Sequence, residues 1–186
     1  GLFIVYMKLY QDCRGNQILG GNENIEVWNH PTLSQISMNF IAENDISPSC
    51  GAGGPNIVCS DEVPGAVKEF IYASDPIMIS GIPPAQGWVF TWDVCCRNGT
   101  IVNLQNPDTQ GATIRAVMYP FSGQNTFPCF DSSPDFAEIP TAIVCTGGDF
   151  TYNHNASDRD LDSIAYKWAE PLDNFNTWNP PAAPNP

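Results

Sequence analysis

Near the end of the chain, NHNASDRDLDS at residues 153–163 places Asp158, Asp160 and Asp162 at alternate positions. Carboxylates this close repel one another unless positive charge offsets them. In an extended turn they can converge. With an amide oxygen from Asn153 or Asn155 they would offer the hard oxygen ligands that calcium takes, about 6 to 8 at a time. Calcium is thus the one candidate cofactor, held by Asn153, Asp158, Asp160 and Asp162; the plainer reading is a solvated acidic turn. The loop is not an EF-hand, which needs Gly at its sixth position and Glu at its twelfth. Arg159 can also neutralise part of the charge without a metal.

Other chemistry finds fewer candidates. Nucleophilic catalysis requires a base within hydrogen-bond reach, and the chain has two histidines. His30, in EVWNHPT, reads as a loop residue. His154 has Ser157 and Asp158 nearby, but such near neighbours bring no oxyanion hole. SCGAGGPN has the glycines of a nucleotide loop without the βαβ setting or the terminal Lys. Paired acids for sugar hydrolysis are available in any acidic domain. No catalytic residue is assigned, and the chain reads as a non-enzyme. Trp178, in the Pro-rich tail, is the ring expected to face a ligand such as surface polysaccharide. Two sequons, at Asn98 and Asn155, have the glycosylation pattern.

Seven cysteines, Cys13, Cys50, Cys59, Cys95, Cys96, Cys129 and Cys145, lack the paired CxxC spacing of zinc sites. Disulfides formed in an oxidising compartment fit them better. Cys50 and Cys59 can bridge to close a short loop, or each can pair with a distant cysteine. Side chains on neighbouring strand residues point to opposite faces, so Cys95 and Cys96 are expected to reach different partners.

Lys and Arg total 7 against 20 Asp and Glu, a formal charge of −13. Such a surface repels nucleic acid and anionic lipid, so neither is an expected partner. The longest apolar runs, such as LFIVYM, fall far short of the ~20 residues that span a bilayer. No direct membrane insertion is expected. Gly1 ahead of an apolar run and the ending NTWNPPAAPNP read as a mature or excised part of a longer extracellular or cell-surface protein.

The elements that must position these residues are strands. In residues 2–10, Phe3, Val5, Met7 and Leu9 share one side, and Leu2, Ile4, Tyr6, Lys8 and Tyr10 the other, a strand expected to be partly covered on both faces. IEVW at 25–28 is a short strand, and QISMNFIA points Ile36, Met38, Phe40 and Ala42 one way. In GWVFTWDVCC, Trp88, Phe90, Trp92, Val94 and Cys96 face opposite Val89, Thr91, Asp93 and Cys95. ATIRAVMY sets an apolar face of Ala112, Ile114, Ala116 and Met118. The whole predicts an all-β fold, a disulfide-bonded β-sandwich over residues 1–136, or two small sandwiches meeting near 75. Residues 157–170 admit two readings. One is a helix capped by Ser157 with a stripe of Leu161, Ile164, Ala165 and Trp168; the other is a loop followed by a strand with Ile164, Tyr166 and Trp168 inward.

The strings YMKLYQDCRGN, WVFTWDVCCRNGTIVN and PCFDSSPDFAEIPTAIVCTGGDFTYNHNASDRDLDSIAYKWAEPL together resemble the N-terminal region of large secreted surface proteins of Bacteroidetes. These include SprB-like gliding adhesins and proteins with a gliding-motility-associated C-terminal domain. The resemblance implies type IX export, stalk-like tandem immunoglobulin-like domains, and a structural or adhesive role. Its partners would be adjacent β domains of the same protein or copies of itself. Residues 156–166 resemble the Ala-x-Asp-x-Asp-Gly-Asp-x-Leu-x-Tyr phrase that opens cadherin-like modules, which implies a new domain over 137–186 and selects the loop and strand. Asp158, Asp160, Asp162 and Tyr166 match that phrase; Arg159 stands where Pro is usual and Leu161 where Gly is usual. The family's cysteine before the long-strand tryptophan has no counterpart in PPAQGW. That leaves an odd count, from a lost partner of Cys95 or Cys96 or from a thiol paired outside these residues.

Overall fold

Alternating apolar residues in five segments, with β-branched and aromatic side chains at the inward positions, build strands that share one buried layer. The computed structural model describes residues 1–15, 19–48, 57–61, 63–99, 101, 106–140, 149, 151–169 and 172. Its elements are β1 (Leu2–Phe3), β2 (Tyr6–Asp12), β3 (Glu23–Trp28), β4 (Gln35–Asp45), β5 (Val67–Ser74), β6 (Ile77–Met78), β7 (Trp88–Cys95), β8 (Gly111–Met118), β9 (Asp135–Phe136) and β10 (Ala156–Ser157). The fold is all-β: among the described residues the helical elements are two single 3-10 turns, Cys59–Asp61 and Pro107–Thr109.

Six strands form one antiparallel sheet in the order β2-β5-β4-β3-β7-β8. Directly paired residues share a face. Met7 opposite Tyr72, Leu9 opposite Phe70, Ile25 opposite Ile36 and Val27 opposite Phe90 therefore mark out a single apolar layer. Met7 and Leu9 from one edge strand and Trp92 from β7 belong to one core cluster. The sheet curls until its ends approach: the Asn98 side-chain amide, just past β7, donates to Asp12 at the end of β2 at 3.1 Å. Strands from both sides of residue 75 share this sheet, with β3 paired to β7.

Gly87 shows why the turn into β7 takes no other residue. Its φ is +79°, and an added Cβ would lie 2.5 Å from Val117 Cγ1 and 2.9 Å from the Met118 carbonyl oxygen. Only glycine tolerates both the left-handed backbone and that approach.

Several expectations need correction. Residues 2–10 are split: β1 pairs with β6, β2 pairs with β5, and the outward side chains Leu2, Ile4, Tyr6 and Tyr10 are exposed instead of covered. Ala42 does not follow Phe40. A bulge at Ile41 shifts the register, so Ala42 pairs with Ile71 on the outer face, as an extra residue in one strand reverses every later side chain. Cys95 and Cys96 are bonded to each other. The strand alternation invoked to separate them ends at Cys95, the last residue of β7. Of the two pairings open to Cys59, it takes the distant one, a bond to Cys13. Among the described residues Cys129 is free and exposed, while Cys50 and Cys145 lie outside them.

On the outer face, the Tyr10 hydroxyl donates to Glu69 Oε1 at 3.4 Å, and Asn44 donates to Glu69 Oε2 at 3.1 Å. Burial, then the Glu69 charge, pushes the Tyr10 phenol from 10.0 up to about 12, with Tyr152 and Asp135 close enough to add to it. Because the folded value is raised, the neutral phenol stabilises the fold fully below the unfolded tyrosine value of about 10, and that contribution is lost as pH rises through the folded value. In an ultraviolet titration, Tyr72, which burial raises as well, and Tyr10 should ionise late, Tyr10 in a phase near pH 12. Tyr10→Phe should remove that phase; if every tyrosine of the parent ionises together near 10, the contact is not kept in solution.

Candidate functional site

The acidic loop takes its shape from its own carboxylates. Asp158 Oδ1 accepts from the amides of Asp160 at 2.8 Å and Asp162 at 3.3 Å, an Asx-type turn. Asn153 Oδ1 accepts from the Asn155 amide at 2.9 Å. Leu161, where the resembling phrase has Gly, adopts φ 66° with an exposed side chain. The tight turn thus forms with Leu in the left-handed region, which costs a non-glycine residue roughly 1 to 2 kcal/mol.

Two short strands hold the loop. β10 pairs with β9, Ala156 opposite Phe136, and the Ala156 amide donates to the Tyr166 hydroxyl at 3.1 Å. His154 sits among rings, edge-on to Tyr152 at 4.9 Å and to Phe136 at 5.7 Å, and stacked on Tyr166 at 5.8 Å. These ring contacts, and not Ser157 or Asp158, are the surroundings that the fold gives it. Residues 158–169 form neither helix nor strand, so the loop is present but the strand expected after it is not. Tyr166 and Trp168 are exposed, Trp168 fully, instead of turned inward.

The structure adds one residue that the spacing did not offer, Asp131. The Ser132 amide donates to Asp160 Oδ2 at 2.6 Å, which brings the 131–132 segment against the loop. Burial, followed by the charges of Asp162, Asp160 and Asp158, raises the Asp131 carboxyl above its ordinary value. Phe121, Phe130, Asp131, Asp160 and Asp162 line an open cavity of about 380 Å³. The only sequence signal for Asp131 was its place in PCFDSSP, among the strings that carry the resemblance.

As a test of fit for calcium, charge and geometry point different ways. Four carboxylates share one negative field, which favours a cation. Oxygens of Asn153, Asp158 and Asp160 are nonetheless turned to backbone amides, and among the described residues no three His, Cys, Asp or Glu side chains are grouped to hold a metal ion.

The remaining candidates are placed as follows. Asn98, the first sequon, is half-buried, with its amide nitrogen engaged by Asp12; Asn155 is exposed at φ 49°. Trp178 lies outside the described residues. His30 Nδ1 accepts from the amides of Thr32 and Leu33 at 3.2 and 2.9 Å, which fixes its turn and fits the reading as a loop histidine. No helix among the described residues is long and apolar enough to cross a membrane. Comparison with protein-family models, with curated proteins and with solved structures gave no match.

Proposed function

We propose that this chain is a non-catalytic structural or adhesive module of an extracellular surface protein, an immunoglobulin-like sandwich made by the curled sheet and set among further β domains. The observation that carries this reading is the run of exposed apolar side chains Leu2, Ile4 and Tyr6 with Met78 paired to Leu2, 66%, 48%, 68% and 68% exposed. Large apolar side chains grouped on an otherwise acidic surface suit burial against a neighbour. The Cys13–Cys59 bridge fits an oxidising compartment. The resemblance to Bacteroidetes surface proteins points the same way.

The test is made on the producing cells. Antibody to the chain should label them intact, external protease should remove the label, and Cys13 and Cys59 should resist alkylation until reduced. Beads coated with a Leu2→Ser, Tyr6→Ser double variant should adhere to those cells several-fold less than beads coated with the parent chain. A protein confined to the cytosol with both thiols alkylated would end the reading.

A second reading, a glycan-binding module dependent on calcium, draws on the cavity where Phe121 and Phe130 meet Asp131, Asp160 and Asp162. Rings supply stacking surface for a sugar, and carboxylates can hold a cation and sugar hydroxyls. Calorimetry with calcium should give a Kd that Asp160→Asn weakens roughly tenfold, since ligand charge sets affinity. Leu161→Gly should tighten it several-fold by relieving the left-handed backbone. Absence of heat at millimolar calcium rejects this reading.

A further inference from the structure

We propose that His30 is a proton-operated latch on the turn between β3 and β4: as the free base it holds residues 29–34 closed, and as the imidazolium it opens them.

The turn is built around one ring nitrogen. Asn29 enters it at φ 66°, in the left-handed region that Asn tolerates better than most residues, and its side-chain amide donates to the Gly87 carbonyl at 3.1 Å. The Val27 amide donates to the Ser34 carbonyl at 2.8 Å and closes the neck. Between these ties, the amides of Thr32 and Leu33 both donate to His30 Nδ1, at 3.2 and 2.9 Å. Leu33, which the second bond positions, packs on the core cluster.

A ring nitrogen that accepts hydrogen bonds carries no hydrogen of its own, so the single proton of the neutral imidazole is on Nε2. Nε2 is buried and has no hydrogen-bond partner among the described residues, and the ring lies 4.4 Å from that of Trp88. A second proton therefore has one place to go, Nδ1. The atom that accepted from two amides then becomes a donor facing both of them, and neither bond survives. Protonation of this ring and opening of this turn are one event, whereas a histidine that caps nothing gains its proton without rearrangement.

The surroundings offer the cation little in return. An indole attracts a cation, but the imidazolium can stay on Trp88 only by turning Nδ1 away from both amides, which also opens the turn. The rest of the turn, Asn29, Pro31, Thr32, Leu33 and Ser34, and the loop 79–87 beside Trp88 contain no titratable side chain. On β3, Glu26 pairs with Thr91 and is exposed. On β7, Asp93 lies toward the far end of the strand from Trp88 and is exposed. On β8, Tyr119 follows the Met118 that pairs with Trp88 and brings an exposed phenol instead of a charge. Burial lowers the His30 value, and no neighbouring charge counters it. The hold on the turn is then complete above the ordinary histidine value of about 6.5 and is lost as pH falls through the lowered one.

Nuclear magnetic resonance of the full chain between about pH 7.5 and about pH 4.5, a span that brackets the histidine value, tests this. Hydrogen-exchange protection of the Thr32 and Leu33 amides, corrected for the intrinsic rate, should fall in step with the His30 ring resonances. One proton sets the slope at no more than about tenfold per pH unit, with a plateau below the folded value. The amides of β5, which is paired on both sides, should keep their protection through the same step. His30→Asn places a side-chain oxygen near the position of Nδ1 and has no proton to gain, so protection should persist and lose its pH dependence. His30→Ala should leave both amides weakly protected at every pH. Thr32 and Leu33 amides that stay protected while His30 titrates overturn the proposal. A pH dependence that persists in His30→Asn also overturns it and assigns the effect to carboxylates, and protection lost from β5 in the same step overturns it as unfolding of the whole sheet.

Discussion

Trp88→Ala should lower the stability of the fold by about 3 to 5 kcal/mol, the range for emptying a buried tryptophan site. Trp88 is 2% exposed and sits at the start of β7 opposite Met118. Its ring lies 4.4 Å from that of His30 and reaches within 3.9 Å of where a side chain on Gly81 would begin. The hole would therefore open between loops and a strand, with backbone on several sides and little able to collapse into it. Urea unfolding measures the loss, and a change below about 1 kcal/mol would mean that the site closes over. A second readout comes from His30, whose value is lowered by burial. The unfolded chain then takes the proton first, so this contribution holds above the ordinary histidine value and is lost as pH falls below it. Without the indole, the His30 resonance should titrate closer to that ordinary value.

Removing the Cys13–Cys59 bridge should cost a similar amount for a different reason. The bridge joins residues 46 apart in sequence, and a closed loop of that length restricts the unfolded chain by about 4 kcal/mol in the chain-entropy account. In the native state the Cys13 amide, just after β2, donates to the Ala66 carbonyl at 3.0 Å, while the Cys59 amide donates to Asp45 at 2.7 Å. These bonds keep the geometry when the sulfurs are gone, so a Cys13→Ser, Cys59→Ser variant should fold and melt roughly 10 °C lower. Cys95 and Cys96 are adjacent, close no loop to speak of, and should contribute far less when replaced together. Equal losses from the two pairs would refute the entropic account.

What could be read in advance was local. The alternation in GWVFTWDVCC is the alternation of β7, and the apolar face of ATIRAVMY aligns with it, because strand periodicity belongs to the backbone itself. QISMNFIA reads correctly as far as Phe40; no residue type announces the bulge at Ile41, which arises from pairing with β5. The choice of Cys13 by Cys59 is likewise a matter of which strand ends meet. The acidic turn was legible in its three aspartates, and its arrival beside Asp131, Phe121 and Phe130 was not, because it depends on a contact between distant segments. Trp168 was assigned inward on a period of two that presumed a strand; with no strand there, the period has no force.

The curled sheet takes β2, β5, β4 and β3 from before residue 75 and β7 and β8 from after it, and the two parts join where β3 pairs with β7. A chain split between Ser74 and Trp88 would therefore yield two fragments, each missing the surface that keeps the other out of aggregates. Expressed separately they should be insoluble. Co-expressed, they have the complementary faces needed to reassemble, which makes the interval between those residues a usable point for a split reporter.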